Sequence, residues 1–176
     1  MLMLCILSPT LRNYLASYYF CFLFITFHEL AHMLFASIYG LEILSIKIRT
    51  SGLCIGISKR ISNVSGILVY LAGPLSNILL ALLFKKIKFV YEINLALALI
   101  NLFPIYPLDG FNILKILIYK IVNKNNAQKI IKNIQVICII FLTILAVIFF
   151  TLFKNISLAV MLVYIYMLGA SNTGKY

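Results

Sequence analysis

The chain contains very few charged residues. Only 11% of its 176 residues are Asp, Glu, Lys or Arg, and only four of them are acidic. A typical soluble domain carries about 25% charged residues. This scarcity, together with a hydrophobic fraction of 64%, excludes an ordinary soluble domain and predicts a protein that lies largely in a lipid bilayer.

Two other sequence signals are absent. The first residues, Met1 to Leu7, are apolar but lack the basic start and the small-residue cleavage site of a signal peptide, so we expect a half-segment or the remnant of a longer first helix. The four cysteines have neither metal-binding nor redox spacing, which favours a role as small core residues. They are Cys5, Cys21, Cys54 and Cys138.

Several apolar runs are long enough to cross a bilayer, which takes about 20 helical residues. Their continuous apolar character predicts helices rather than the alternating strands of a barrel. The runs are Tyr14 to Gly40, Val64 to Phe84, Glu92 to about Leu108, Ile134 to Phe153 and a shorter one from Ile156 to Ala170. We therefore predict an all-α polytopic membrane protein with five to six transmembrane helices, forming one domain over residues 1–176 without a soluble accessory domain.

The net charge of +11 comes from lysines and arginines in the short connections between these runs. That distribution indicates membrane orientation rather than nucleic-acid binding. The positive-inside rule then places the loop from Gly40 to Asn63 in the cytoplasm.

The same loop departs from the helical pattern. Residues 45–58, SIKIRTSGLCIGIS, alternate apolar and polar positions on either side of Ser51-Gly52. This predicts a β-hairpin with a two-residue turn at the membrane surface. An irregular amphipathic loop is the alternative.

Helix breakers occur in two of the apolar runs. AGPLSN, residues 72–77, predicts an interruption of the second run, and NLFPIYPLDG, residues 101–110, ends the third. Backbone groups released at membrane depth must find partners in the protein or in a water-lined cavity, so we expect water to be admitted there. The lysines between Lys115 and Lys132 follow no helical stripe, which favours an interfacial connection.

The two histidines of the chain lie four positions apart in FHELAH. On a helix, His28 and His32 face the same way and can bind one Zn²⁺. Glu29 lies about 100° round the helix, away from the metal but able to take a proton from the attacking water. The pattern predicts the centre of a zinc hydrolase with one zinc per chain. The alternative is a packed polar cluster without metal, which would be costly in a membrane helix.

A catalytic zinc needs a third protein ligand. Because no histidine remains, the ligand must be a carboxylate or a cysteine, and the remaining acids are Glu42, Glu92 and Asp109. Glu92 begins the third run at the opposite membrane face, about 25 Å away, whereas Asp109 ends that run near the depth of His32. Topology favours Asp109, with Glu42 in the cytoplasmic loop as an alternative.

FHELAH, LAGPLSN and NLFPIYPLDG, in this order on apolar segments, resemble the site-2 protease family of intramembrane zinc metalloproteases over residues 14–170. The short format is most similar to the stage IV sporulation protein FB branch, which processes a sigma-factor precursor. Members of that branch usually carry a complete helix before the zinc helix and often a nucleotide-sensing domain after the last one. This sequence has neither in full.

The resemblance assigns roles along the chain. The predicted domain comprises a zinc helix at about 14–40, a hairpin loop at 45–58, an aspartate-ligand segment at 92–110 and C-terminal helices at 134–170, and the resemblance covers all four. It implies that His28, His32 and Asp109 bind zinc and that Glu29 activates water. It further implies substrate or oxyanion contacts for Asn101, Pro107 and Asn77, with an interhelical hydrogen bond as the alternative for Asn77.

The expected activity is hydrolysis of a peptide bond in or near a transmembrane segment of a membrane or membrane-associated protein. The expected location is the cell membrane, with the site toward the cytoplasm. Further expected partners are regulatory membrane proteins and a second copy of the chain. Nucleic acid is not an expected partner. The alternative function is a zinc carrier or sensor without proteolysis, which would need polar ligands along a path through the helices.

Overall fold

The computed structural model describes residues 9–41, 43–49, 52–57, 63–153 and 163. Two strands and five helices occur in this part of the chain. They are α1 (Pro9–Ile38), β1 (Ile43–Arg49), β2 (Gly52–Ile57), α2 (Asn63–Leu83), α3 (Lys88–Asn101), α4 (Asp109–Ile121) and α5 (Lys124–Phe153).

Three helical segments among the described residues are long and apolar enough to cross a membrane: Leu15–Ile38, Val64–Leu83 and Lys124–Leu152. Many large apolar side chains on these helices are exposed, as expected where lipid is the neighbour. The chain is therefore a membrane protein. Five to six crossings are not found in the described part, and the predicted run from 156 to 170 lies outside it except for residue 163.

The third predicted crossing is shorter than expected. α3 has 14 residues and is about 21 Å long, less than the hydrocarbon core of about 30 Å. It ends at Asn101 rather than near Leu108, because Pro104 and Pro107 remove amide donors and disfavour helix in the residues before them. Asp109 consequently begins α4 instead of ending the third run.

One other helical boundary differs from expectation. α2 continues through Pro74 without interruption, since a proline costs a single backbone hydrogen bond that a membrane helix tolerates. The stretch from Lys115 to Lys132, predicted as an interfacial connection, comprises the end of α4 and the start of α5. Its inner stripe consists of Ala127 and Ile131, which are buried four positions apart.

β1 and β2 pair antiparallel, with Ile46 opposite Ile55 and Arg49 opposite Gly52. The pair lies where the alternating pattern predicts a hairpin. Gly52 belongs to β2 and is not a turn residue, and the register shifts between Ile43 and Ser45. This two-stranded sheet contacts α1 through β2.

The chain divides into two compact units. The first comprises Met1–Ile61 and Ala72–Ala98. In its interior, α1 presents one stripe of buried residues four positions apart, and α3 presents a shorter stripe of two buried residues. The Phe20 ring of α1 meets Phe89 of α3 edge to face at 6.2 Å. The α1 stripe is Phe24, His28, His32 and Ala36, and the α3 stripe is Asn94 and Ala98.

The second unit comprises Ser62–Leu71 and Leu99–Tyr176. Its core joins the turns between α3 and α4 to α5, with Ile105 packed in one cluster with Leu142. A Cβ added at Gly110 would lie 2.6 Å from the Phe103 carbonyl oxygen and closer still to the Leu102 carbonyl group. Glycine is required at position 110 because the first turn of α4 packs directly on this backbone.

This contact predicts that Gly110→Ala destabilises the protein by about 1–3 kcal/mol, the usual cost of overpacking. Without the contact, alanine would stabilise a helix by about 1 kcal/mol relative to glycine, so the sign of the effect is informative. The unfolding temperature of the purified protein in detergent measures it, with Lys120→Ala on the same helix as the control. A Gly110→Ala protein as stable as the parent would contradict the packing.

Candidate metal centre

The two histidines form a buried pair on the inner stripe of α1. His28 and His32 are 4% and 7% exposed, and their Nε2 atoms are 3.1 Å apart. The rings are nearly perpendicular, at 82°. Two nitrogens bound at about 2.0–2.1 Å to one tetrahedral zinc would be about 3.3–3.4 Å apart. The pair therefore fits two ligand positions of one zinc ion.

The backbone of α2 comes very close to this pair at Gly73. A Cβ at this position would lie 2.5 Å from His28 Nε2, 2.6 Å from His28 Cε1 and closer still to His32 Nε2. No side-chain carbon fits in that space without displacing the imidazoles. Glycine therefore leaves the space beside both ring nitrogens open.

One turn beyond Gly73 on the same face of α2, Asn77 contacts the first histidine. Asn77 Oδ1 and His28 Nδ1 are 2.7 Å apart. Asn77 Nδ2 donates to Asn94 Oδ1 of α3 at 3.1 Å, and Asn94 Nδ2 donates to the Val90 carbonyl oxygen at 2.9 Å. Asn77 thus makes the interhelical hydrogen bond that the sequence left as its alternative role, and a contact with substrate stays a prediction.

The acidic residues differ in their surroundings. Glu29 is half-buried and follows His28 directly on α1. Glu92 is paired with Lys88 at 3.7 Å, and its side chain is 61% exposed, so its carboxylate is committed to a surface ion pair. Glu42 lies outside the described residues. Glu29 therefore lies beside the histidines, whereas the Glu92 side chain lies at the surface.

The remaining predicted site residues lie in the second unit. Asn101 is the last residue of α3 and Asp109 the first of α4, and both are half-buried, as is Pro107 between them. Backbone hydrogen bonds from Ile105 N to Phe103 O at 2.8 Å and from Leu108 N to Ile105 O at 2.9 Å close the intervening turns. These turns fix the position of the Asp109 backbone.

Sequence reasoning missed Gly73 and Asn94. Gly73 lies in AGPLSN, a segment whose pattern predicts only a helix interruption. Asn94 is an asparagine in the apolar run EINLALALIN, and a polar side chain in such a run is itself a signal of function or of an interhelical hydrogen bond. Its partner could not be known before the packing of α3 against α2.

A family model described as Peptidase M50B-like matches residues 1–108, more than half of the chain. The chain belongs to the M50B-like peptidases. A model described as Peptidase family M50 matches residues 83–145. The predicted site-2 protease (M50) family is confirmed, and the sporulation branch stays a prediction.

Individual relatives agree with this membership. A protein from Synechocystis sp., whose name assigns it as a zinc metalloprotease, is 35% identical over 115 residues, covering 56% of this chain and 30% of that protein. The chain thus spans less than a third of the length of this relative. The site-2 protease from Methanocaldococcus jannaschii has a similar fold, with a TM-score of 0.63 and 24% identity, over 84% of this chain and 72% of that chain.

The close approach at Gly73 generates a prediction for this M50B-like peptidase. Gly73→Ala should weaken zinc binding at least about 10–100-fold, the loss typical when metal ligands are disoriented, because the new methyl group displaces both imidazoles. Zinc titration of the purified protein measures the affinity. Leu75→Ala, at a side chain of the same helix that is 50% exposed, is the control. Unchanged zinc affinity in the Gly73 variant would refute the proximity.

Proposed function

We propose that this protein is an intramembrane zinc metalloprotease that hydrolyses a peptide bond within or near a transmembrane segment of another protein. The observation that carries the proposal is the buried imidazole pair, with Nε2 atoms 3.1 Å apart, followed by Glu29 on the same helix. Buried ionisable groups in an apolar helix are costly and mark functional sites. Membership in the M50B-like peptidases and the name of the Synechocystis relative support the same activity.

The proposed zinc ligands are His28, His32 and Asp109. His28 and His32 offer two buried imidazoles, and the resemblance to the site-2 protease family supports Asp109 as the carboxylate ligand. Two imidazoles and one carboxylate are a ligand set of catalytic zinc sites, which leave one position for water or substrate. This chemistry supports one zinc per chain.

The chain's own residues account for the remaining steps. When bound, zinc would polarise the scissile carbonyl and acidify the attacking water. Glu29 would accept the proton of that water and pass it to the leaving amine, acting as general base and then general acid. The amide of Asn101 would donate to the carbonyl oxygen as negative charge develops, and Pro107 would shape the substrate path beside it.

A substrate helix must expose the peptide bond before it is cut, because its carbonyls are engaged in helical hydrogen bonds. The two-stranded sheet of β1 and β2 has outer strand edges. We propose that an unwound substrate segment pairs with one of these edges, as peptides do when they extend a sheet.

The protein would be a multi-pass protein of the cell membrane with its site toward the cytoplasm, as the distribution of basic residues favours. Its substrate would be a membrane or membrane-associated protein, such as a sigma-factor precursor or a regulator, as the resemblance to the sporulation branch suggests. Regulatory membrane proteins and a second copy of the chain would be further partners.

Glu29→Gln tests the mechanism. The amide cannot accept a proton, so cleavage should fall about 10²–10⁴-fold while zinc content stays at the parent level. The measurement compares membrane proteins of cells that produce the parent or the variant and looks for an uncleaved precursor that accumulates. Glu92→Gln, which makes the same change at an exposed carboxylate, is the control. Full cleavage by the Glu29 variant would refute the role of this residue, and zinc binding without any cleavage by the parent would favour the carrier or sensor.

Asp109→Asn tests the ligand set. Loss of the charged ligand should weaken zinc binding by more than the factor of about 10–100 that follows loss of an outer-shell partner. Zinc titration of the purified variant measures this, again with Glu92→Gln as the control. If Glu42→Gln abolished zinc binding and Asp109→Asn did not, the third ligand would be Glu42.

A further inference from the structure

The hydrogen bonds that connect α3 to His28 have a fixed direction. This series of hydrogen bonds begins at the Val90 carbonyl oxygen, which can only accept. The Asn94 group 2.9 Å from it must therefore be the donor Nδ2, which turns Asn94 Oδ1 toward Asn77. Because this oxygen also only accepts, the Asn77 group 3.1 Å away must be Nδ2.

The same logic reaches the histidine ring. With its Nδ2 committed to Asn94, Asn77 presents Oδ1 to His28 Nδ1 at 2.7 Å. An amide oxygen cannot donate, so Nδ1 must carry the ring proton. In neutral imidazole the other nitrogen, Nε2, is then unprotonated and carries a lone pair, which is the form that a metal requires.

The opposite direction of these hydrogen bonds is excluded by the Val90 carbonyl oxygen. If Asn77 were flipped, its Nδ2 would face His28 Nδ1 and its Oδ1 would face Asn94. Asn94 would then have to flip as well, which would place its Oδ1 against the Val90 oxygen, acceptor against acceptor. Both asparagines are fully buried, at 0% exposure, so bulk water cannot supply the missing donor.

We infer that Asn94, acting through Asn77, is a positioning residue that sets the tautomer of His28 and thereby prepares His28 Nε2 as a metal ligand. This role rests on the proposed function only in its last step, the binding of zinc at Nε2. The direction of the hydrogen bonds is a property of the metal-free protein and can be measured there.

Two substitutions separate positioning from packing. Asn94→Leu keeps a side chain of similar size but removes the acceptor for Asn77. Asn94→Asp keeps the acceptor, because an ionised carboxylate accepts at both oxygens and a protonated one can donate to Val90 while accepting from Asn77. A positioning role predicts that the Asp variant resembles the parent and that the Leu variant does not. A packing role predicts the opposite order, since leucine suits an apolar interior better than a carboxyl group.

The experiment is nitrogen NMR of the full-length, metal-free protein in detergent at about pH 8, with ¹⁵N-labelled histidine. The chain has two histidines, and a His32→Gln sample assigns them. We expect His28 protonated at Nδ1 in the parent and in Asn94→Asp, and a mixture of tautomers in Asn94→Leu. Glu92→Gln, two positions away on α3, is the control and should leave the spectrum unchanged.

Titration with Zn²⁺ gives the second measurement. Affinity should fall about 10–100-fold in Asn94→Leu, as for other outer-shell partners, and much less in Asn94→Asp. A parent protein whose His28 carries its proton on Nε2 would overturn the inference, as would parent-like tautomer and affinity in Asn94→Leu. If that variant does not fold, the His28 tautomers of the parent and of Asn94→Asp still test the inference. A parent that shows the expected tautomer but binds no zinc would refute the proposed function and leave the directed hydrogen bonds intact.

Discussion

Polar groups buried among apolar helices must be satisfied by one another, because lipid supplies no hydrogen-bond partner. In the first unit, the buried polar groups surround one contact, in which two imidazole nitrogens are 3.1 Å apart. That contact requires Gly73 on α2, where any Cβ would collide with the rings. It also requires a partner for His28 Nδ1, which Asn77 provides. Asn77 in turn needs Asn94, so three helices are held in register by one polar cluster.

The same constraint explains which parts of the site the sequence could predict. His28, Glu29 and His32 are adjacent on one helix, and their spacing alone fixes which of them share a face. Asn94 and Gly73 act across helix interfaces, and no local pattern says which face of α3 meets α2. A polar residue in an apolar run indicates that its side chain has a hydrogen-bond partner, but the identity of that partner depends on how the helices pack.

The fold was predictable to a similar degree. Apolar runs gave the helices around 15–38 and 64–83, because length and hydropathy are sufficient for a membrane span. The predicted helix boundaries are wrong where local rules compete. Pro74 was expected to break α2 and does not, since one lost hydrogen bond is small against the packing of a long helix. The two prolines after Asn101 do end α3, because the turns between α3 and α4 have their own hydrogen bonds and core contacts.

α3 depends on this cluster for its position. The hydrogen bonds of Asn94 to Asn77 of α2 and to the Val90 carbonyl oxygen of its own helix fix the rotation of α3 about its axis. The same Asn77 side chain contacts His28 Nδ1 on α1. The rotation of α3 and the orientation of the first proposed zinc ligand are therefore set by one pair of asparagines, so neither can change without the other.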